Sequence, residues 1–573
     1  MRNQALAHMF DRIADVLEFK GELQFRVLAY RKASRVLQDL RDDIETIWKE
    51  GKLEDIPGIG EGMAKKIDEY LSTGKMTKYE EVTKGIPSSL IDLLNIQSLG
   101  PKTLALAYEK LRVKNLEDLK RVIADGSLAK LPRMGDKKVQ SISKGIELFV
   151  ASHERMSLGI ALPLAERVIE ELKKAVKVGR ISTAGSLRRL KETIGDIDIL
   201  CEGTDTTKII EKFTQLPVVE RVLASGGTKA SVIADGGIQV DLRVVEPASY
   251  GAALQYFTGN KDHNVKLRGI AKDKGLKINE YGVFKGEKRL GGKDEEDIYK
   301  IVGVPIMEPE LREDRGEIEA ALAGTLPKLV TRSDIEGDFH VHSIYSDGSD
   351  SLETLAEKAV SLGYSFIAIC DHSKSANYAG GLSETTLLKQ IAEIKKVNAR
   401  FKGEGFRLLA GSEVDIKADG TLDFSDDILK KLDVVIASIH SGFKQRVTER
   451  MTTAMKNPYV HIIGHPTGRL ISRREGYEVD LGKVMEAAGD TRTALEINGF
   501  FDRLDLTDIA SRKAKELGIT MAIGTDSHNT AHLEFMKFGL AVARRGWLEK
   551  KDLLNTRKPE AILKWLKAKK AAS

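Results

Sequence analysis

The sequence predicts a multidomain α/β chain: a helical amino-terminal region, a middle region of mixed strands and helices, and a carboxyl-terminal parallel βα barrel. Three observations predict it. A glycine-centred turn recurs three times in the first 150 residues, two strand patterns after residue 150 carry aspartates on one face, and from about residue 337 short apolar runs ending on His, Asp or Glu alternate with helix patterns. With 573 residues, 42% hydrophobic and 31% charged, the chain has room for three or more cores. No run of about 18 apolar residues occurs, and the first residues read as an amphipathic helix with acidic groups, not a secretory signal. No membrane partner is therefore expected, and the expected location is cytoplasmic. Cys201 and Cys370 each end an apolar run and read as core residues in a reducing compartment. The net charge of +5 permits a nucleic-acid partner without requiring one.

The three repeats are "IPGIGEGMAKKIDEYL" from Ile56, "IQSLGPKTLALAYEKL" from Ile96 and "LPRMGDKKVQSISKGI" from Leu131. Each places an apolar residue, a tight turn ending in glycine (Gly60, Gly100, Gly135) and a helix with early lysines, which is the pattern of a helix-hairpin-helix repeat. Glycine lets the backbone turn sharply, and the free N–H groups that open the next helix face a phosphate. Such a hairpin grips nucleic-acid backbone without reading sequence. A glycine-capped helix connection explains one copy equally well; three copies favour DNA, with Gly58, Gly60, Gly100 and Gly135 as the DNA-binding positions. Ser98 and Arg133 stand where the first copy has Gly58.

In "RISTAGSLRRLKETIGDIDIL", Gly185 and Ser186 form a turn able to offer backbone N–H groups and a hydroxyl to a phosphate, with Arg188 and Arg189 behind it. Asp196 and Asp198 alternate with Ile194, Ile197 and Ile199, so both point to one face of a strand. In "IQVDLRVVE", Gln239, Asp241 and Arg243 share one face. Brought beside the first pair, Asp241 completes a carboxylate triad suited to two magnesium ions and in-line phosphoryl transfer.

Together with "YFTGNKDHNVKLRGIAKDKGLKINEY" (Tyr256 to Tyr281), these stretches resemble the family X DNA polymerases over about residues 1–316. The resemblance implies a nucleotidyltransferase palm with thumb, and gap-filling DNA repair on gapped or primed DNA with deoxynucleoside triphosphates. Asp196, Asp198 and Asp241 would bind catalytic Mg2+ or Mn2+. Gly185, Ser186 and Arg189 would surround the triphosphate, Tyr256 and Phe257 would lie at the sugar, Gly259 would also bind the nucleotide, and Asn264 and Arg268 would lie at the nascent pair and template. Lys66 matches the lysine used by members with 5'-deoxyribose phosphate lyase activity, and Tyr30 a tyrosine near it; a plain backbone-contacting lysine is the alternative. Lys65 and Arg26 are expected to lower its pKa. Gln239, Lys261, Gly62 and Phe25 depart from the vertebrate enzyme's pattern.

Residues 308–337 read as a charged helix and connector separating two independently folded parts. Beyond it, "DFHVHS", "FIAICDHS", "LLAGSEVDI", "VVIASIH", "HIIGHP", "ALEIN" and "MAIGTDSH" place His340, His342, Asp347, His372, Glu413, His440, His465, Asp526 and His528 where strands end, the rim on which a barrel builds its site. His461 and His532 read as core histidines. Mixed imidazole and carboxylate ligation suits zinc, manganese or iron. These fingerprints resemble the polymerase and histidinol phosphatase (PHP) domain over about residues 337–573, implying a (β/α)7 barrel with two or three Zn2+, Mn2+ or Fe2+ ions. Lys374 and Arg503 read as solvated basic residues before phosphate contacts.

The expected organisation is a helical domain at 1–85, a fingers-like helical domain at 86–150, the palm at 151–248, a thumb at 249–316, a linker at 317–336 and the barrel at 337–573. The expected function is a gap-filling polymerase with a 3'-to-5' exonuclease or 3'-end phosphoesterase in the barrel. A small-molecule phosphatase in the barrel, or a gap-binding module with an inactive polymerase, are the alternatives.

Overall fold

In the computed structural model, the three glycine turns of the first 150 residues make the same backbone hydrogen bonds among their described residues. Ile59, Leu99 and Met134 each donate N–H to the carbonyl three residues earlier, at 3.0, 3.0 and 3.1 Å. The carbonyls of Gly60, Gly100 and Gly135 then each accept from the third and fourth residues that follow, at 2.8 to 3.1 Å. Gly58 has φ +99°, and a Cβ there would press on Val36 Cγ2 at 2.9 Å, so this turn requires glycine. The structure describes residues 2–572 except 41–43, 57, 85, 87–89, 92, 97–98, 133, 136–137, 144, 147–154 and 472–475; the departures at Ser98 and Arg133 lie outside the described residues.

The chain divides into two compact units, residues 1–154 with 237–239, and residues 155–236 with 240–573. The first is helical. Its helices Arg2–Phe19 and Gln24–Asp39 pack with Phe10 edge-on to Tyr30 at 5.7 Å, and its core continues through Ile67 and Leu104 to Ile142.

In the second unit, β1 (Ile181–Thr183), β2 (Ile197–Glu202), β3 (Val219–Ser225), β4 (Lys229–Ala234) and β5 (Ile238–Val245) form a sheet in the order β1-β2-β5-β4-β3. Burial alternates along β5, as its period-two pattern requires. Helices Tyr250–Thr258, Lys261–Asp273 and Glu295–Val302 then pack with β6 (Lys277–Asn279), β7 (Gly282–Lys285) and β8 (Lys288–Gly291) around Ala252, Leu267 and Ile298.

Seven parallel strands follow: β9 (Gly337–Val341), β10 (Phe366–Ile369), β11 (Arg407–Asp415), β12 (Val434–Ser438), β13 (Ile462–Ile463), β14 (Ala494–Asn498) and β15 (Met521–Gly524), in sequential order. A bridge between Val341 and Ser527 brings the first and last edges together, leaving a nearly closed barrel. Its strands are buried along their length, so they read as continuous apolar runs. Ile562 and Leu566 of helix Pro559–Ala572 join its core.

The charged stretch 308–337 departs from expectation. It is packed into the second unit rather than separating independent parts. Ile318 and Ala321 of helix Glu317–Leu322 enter the thumb core. Glu310 meets Arg544 at 2.6 Å, Glu313 meets Arg189 at 2.9 Å and Arg545 at 3.0 Å, and Glu317 meets His263 at 2.7 Å. Buried charge persists only when paired, and these partners come from the palm, the thumb and the barrel. Among the described residues no helix is long and apolar enough to cross a membrane.

Candidate active sites

The palm sheet sets Asp198 directly opposite Asp241 in the parallel register of β2 and β5. Ile197 and Ile199 bury the other face of β2, and Asp196 precedes the strand by one residue. Burial and repulsion from Asp196 and Asp241 push the Asp198 carboxyl up to about 7, and burial with Asp241 raises Asp196. The nearest relief is Lys229, whose Nζ lies 2.7 Å from Asp241 Oδ2. Ala184, Lys229, Arg243 and Phe257 line a cavity with Asp198 and Asp241. Gly185 has φ +57°, and a Cβ there would run into the Asp198 carboxylate, so glycine lets this turn lie against the acid. Ser186 is half-buried on the same turn.

Tyr256 and Phe257 stand edge to face at 5.0 Å, with Arg243 over Phe257 at 4.6 Å and Arg268 over Tyr256 at 5.9 Å. Two residues expected at the nucleotide have hydrogen-bond partners within the protein. Arg189 is buried, giving Nε to Glu313 and Nη1 to the Thr258 carbonyl at 2.7 Å. Asn264 Nδ2 donates to the carbonyls of Tyr256 at 2.7 Å and Gly259 at 3.0 Å, and its Oδ1 accepts from Gln255 at 2.8 Å. Asn264 therefore shapes the turn that carries the aromatic pair and Gly259, where a Cβ would crowd Asn264 Oδ1 at 2.6 Å.

At the barrel rim, β9 brings His340 and His342, and the following strands bring His372, Glu413, His440, His465, Asp526 and His528 in turn, with Asp347 from the loop after β9. Glu413 is the centre. Its carboxylate lies 3.0 Å from His372 and His465, 3.1 Å from His440 and 3.5 Å from His340. Burial disfavours its charge, yet His440, His372 and His340 outweigh burial and hold it well below the carboxylate range. Burial likewise opposes the imidazolium of His372 and His440, but Glu413, with Asp347 and Asp415 respectively, holds them charged up to about 10 and about 9.

Three overlapping groups can each hold a metal ion among the described residues: His342, Asp347, His372 and His528; His340, His342 and Asp526; His372, Glu413 and His440. His465 joins the cluster through Glu413. The residues fit metal ions on a direct observation. His340 Nε2 and both ring nitrogens of His342 are buried without a hydrogen-bond partner, although carboxylate oxygens surround them at 3.2 to 3.8 Å. Asp526 and His465 have φ +54° and +24°, left-handed backbone that favours glycine and is held here at ligand-type residues.

Lys66 lies on helix Glu61–Thr73, its Nζ donating to the Gly62 carbonyl at 2.6 Å and standing 5.7 Å from the Tyr30 ring centre. Burial and Lys78 lower its pKa. Lys65 and Arg26, the cations expected to do this, are paired with Glu61 at 2.6 Å and Glu22 at 3.1 Å. Phe25 is 66% exposed.

Known proteins share this organisation. Residues 1–76 match the helix-hairpin-helix domain family, 90–147 the SAM-like helix-hairpin-helix tandem, 253–313 the DNA polymerase beta thumb and 338–499 the PHP domain. A DNA polymerase/3'-5' exonuclease PolX of Bacillus subtilis (strain 168) is 39% identical over 575 residues, covering 99% of this chain and 100% of that protein. This chain belongs to the family X DNA polymerases with a PHP domain. A DNA polymerase lambda of Arabidopsis thaliana is 27% identical over 345 residues, 54% of this chain and 62% of that protein. A probable phosphatase of Thermoanaerobacter sp. (strain X514) is 34% identical over 247 residues, 41% of this chain and 95% of that protein. With its helix-hairpin-helix and thumb domains, this family X polymerase binds DNA, and its polymerase and PHP domains are metal-dependent.

The family X polymerase also carries site groups that sequence reading missed. Glu496 Oε1 meets His340 Nδ1 at 2.6 Å and Asp415 Oδ1 meets His440 Nδ1 at 2.5 Å, orienting rings whose other nitrogens face the cluster. Both were findable, since they lie within the runs "ALEIN" and "SEVDI". Arg503 is not solvated: its Nε lies 3.4 Å from Asp526 Oδ2, with the side chain 21% exposed. Lys374 is solvated as expected, and His461 is a core residue whose Nδ1 accepts from the Val435 N–H at 3.0 Å. Lys229 had no local signal.

Proposed function

We propose that this family X polymerase fills gaps in DNA from deoxynucleoside triphosphates and trims or repairs the 3' end in its barrel by metal-dependent phosphoester hydrolysis. The in-register pairing of Asp198 with Asp241, beside Asp196 and the Gly185 turn, carries the polymerase half. Asp196, Asp198 and Asp241 would hold Mg2+ or Mn2+. Held there, divalent cations would supply activation of the attacking oxygen and stabilisation of the leaving one. Gly185 and Ser186 would receive the triphosphate, and Tyr256 and Phe257 would crowd a 2'-hydroxyl. The glycine turns at Gly58, Gly60, Gly100 and Gly135 would take DNA phosphates.

In the barrel, the nine rim residues would hold two or three Zn2+, Mn2+ or Fe2+ ions against a 3'-terminal phosphoester, with Glu496 and Asp415 fixing the rings. A second reading, a small-molecule phosphatase, is favoured by the likeness to the Thermoanaerobacter probable phosphatase. Primer extension on one-nucleotide-gapped DNA tests the first half: full gap filling is expected, and no extension would contradict it. Comparing nucleotide release from a recessed 3' end with phosphate release from histidinol phosphate separates the two barrel readings. Faster release from DNA is expected.

A further inference from the structure

The palm and barrel meet along contacts that converge on the segment after the phosphate-facing turn. Arg545 Nη1 donates to the Arg189 carbonyl at 2.8 Å. Arg469, from the loop after His465, grips the Glu192 carboxylate with both terminal nitrogens, at 2.6 and 3.2 Å. Glu192 is tied to the palm through its carbonyl, which accepts from the Leu158 N–H at 2.9 Å. One residue on, the helix Leu158–Ala175 presents Gly159, where a Cβ would overlap Phe501 of the barrel. Palm and barrel thus touch at Phe501 and at Arg469.

The remaining donors of Arg469 point into the barrel. Nε donates to the Arg503 carbonyl at 2.9 Å and Nη2 to the Leu504 carbonyl at 2.5 Å. Leu504 has φ +45°, a left-handed conformation that a leucine adopts only when its surroundings impose it. Asp505, next in the chain, accepts from the Thr467 N–H at 3.0 Å and the Gly468 N–H at 2.8 Å, binding this segment to the loop of His465. Held so, Arg503 directs Nε toward Asp526 Oδ2, the oxygen that also accepts from Asn498 Nδ2 at 3.1 Å. Three links therefore join Glu192 to a residue of the barrel cluster: Glu192 to Arg469, Arg469 to the Arg503–Leu504 backbone, and Arg503 to Asp526.

We infer that Glu192 of the palm is a positioning residue for hydrolysis in the barrel, acting through Arg469 to set Arg503 against Asp526. The inference rests on the barrel being a phosphoesterase. Glu192 touches no cluster residue itself; its carboxylate supplies the counter-charge that holds a mostly buried guanidinium in one orientation. Loss of a group that orients a metal-site residue from behind costs about 10- to 100-fold in activity or affinity.

The test uses the full chain with Mn2+ and a small phosphodiester, bis(p-nitrophenyl) phosphate, alongside nucleotide release from a recessed 3' end. Wild type is compared with Glu192→Ala, Glu192→Gln, Glu192→Asp and Arg469→Lys, each checked by thermal unfolding. On the small probe, Glu192→Ala is expected to lower kcat about tenfold with KM within about twofold. Glu192→Gln should fall between, and Glu192→Asp should recover most of the rate. Unchanged kcat in folded Glu192→Ala and Arg469→Lys would overturn the inference. So would a loss that follows the unfolding midpoint and is not recovered by Glu192→Asp, which would leave Glu192 as a strut. Wild-type turnover of the probe without nucleotide release from DNA would sink the exonuclease reading instead, and the variants' rates on the probe would still decide the inference.

Discussion

The palm triad and the barrel cluster gather carboxylates for cations in opposite ways. In the palm, three aspartates face one another with Lys229 at one edge, and the mismatch shows in Asp198, pushed up to about 7 by burial and its neighbours. In the barrel, Glu413 sits at the centre of a ring of histidines, and each side compensates the other. The palm site is negative and attracts cations outright; the barrel site is balanced, and a cation entering it must displace protons. In the palm the repulsion stays, relieved in part by Lys229, and in the barrel it is offset by imidazolium.

The comparison breaks most visibly against pH. A proton on Asp198 competes with a cation below about 7, so the Mg2+ concentration for half-maximal primer extension should fall about fivefold from pH 6 to 7, about twofold more by pH 8, and then level off. His372 and His440 keep their protons up to about 10 and about 9, so the Mn2+ requirement for barrel hydrolysis should go on falling through pH 9. Parallel profiles for the two activities would erase the distinction.

A smaller effect sharpens the palm side. Phe257→Ala removes one ring of the aromatic pair, and discrimination against ribonucleotides should weaken about tenfold, roughly 1.4 kcal/mol. Single-nucleotide insertion kinetics with matched ribo- and deoxyribonucleotides measure it, and an unchanged ratio would remove the pair from sugar selection.

The smallest expected signal is in the first unit. Lys66, lowered by burial and Lys78, should give weak borohydride-trapped adduct on incised abasic DNA, lost in Lys66→Ala. No adduct, or one that survives the substitution, would leave Lys66 as a backbone contact.

What could be read from sequence follows from how local each signal is. The alternation around Asp196 and Asp198 and along "IQVDLR" is a two-residue period, so it fixes which face the acids share, while the pairing of Asp198 with Asp241 comes from the register of two strands about 40 residues apart. Ligands at strand ends are equally local, and the barrel brings them to one rim. The pairing of Arg189, read as a residue around the triphosphate, with Glu313 had no local signal because the two lie 124 residues apart. The run 308–337 read as a connector because charged runs usually face water, whereas Arg544, Arg545, Arg189 and His263 pair with it from distant parts of the chain. Lys229 reaches Asp241 only through the order β5-β4 in the sheet, which no local pattern announces. The glycine repeats were readable because the same four or five residues make the whole turn.

The central claim is that one chain carries two metal-dependent sites that share a rigid frame but no ligand. The most direct measurement follows primer extension and 3'-nucleotide release on the same gapped substrate in Asp198→Ala and His342→Ala, with folding checked for each. Asp198→Ala should lose extension by at least about 10²-fold and keep nucleotide release, and His342→Ala should do the reverse. Loss of both activities in either folded variant would contradict the account.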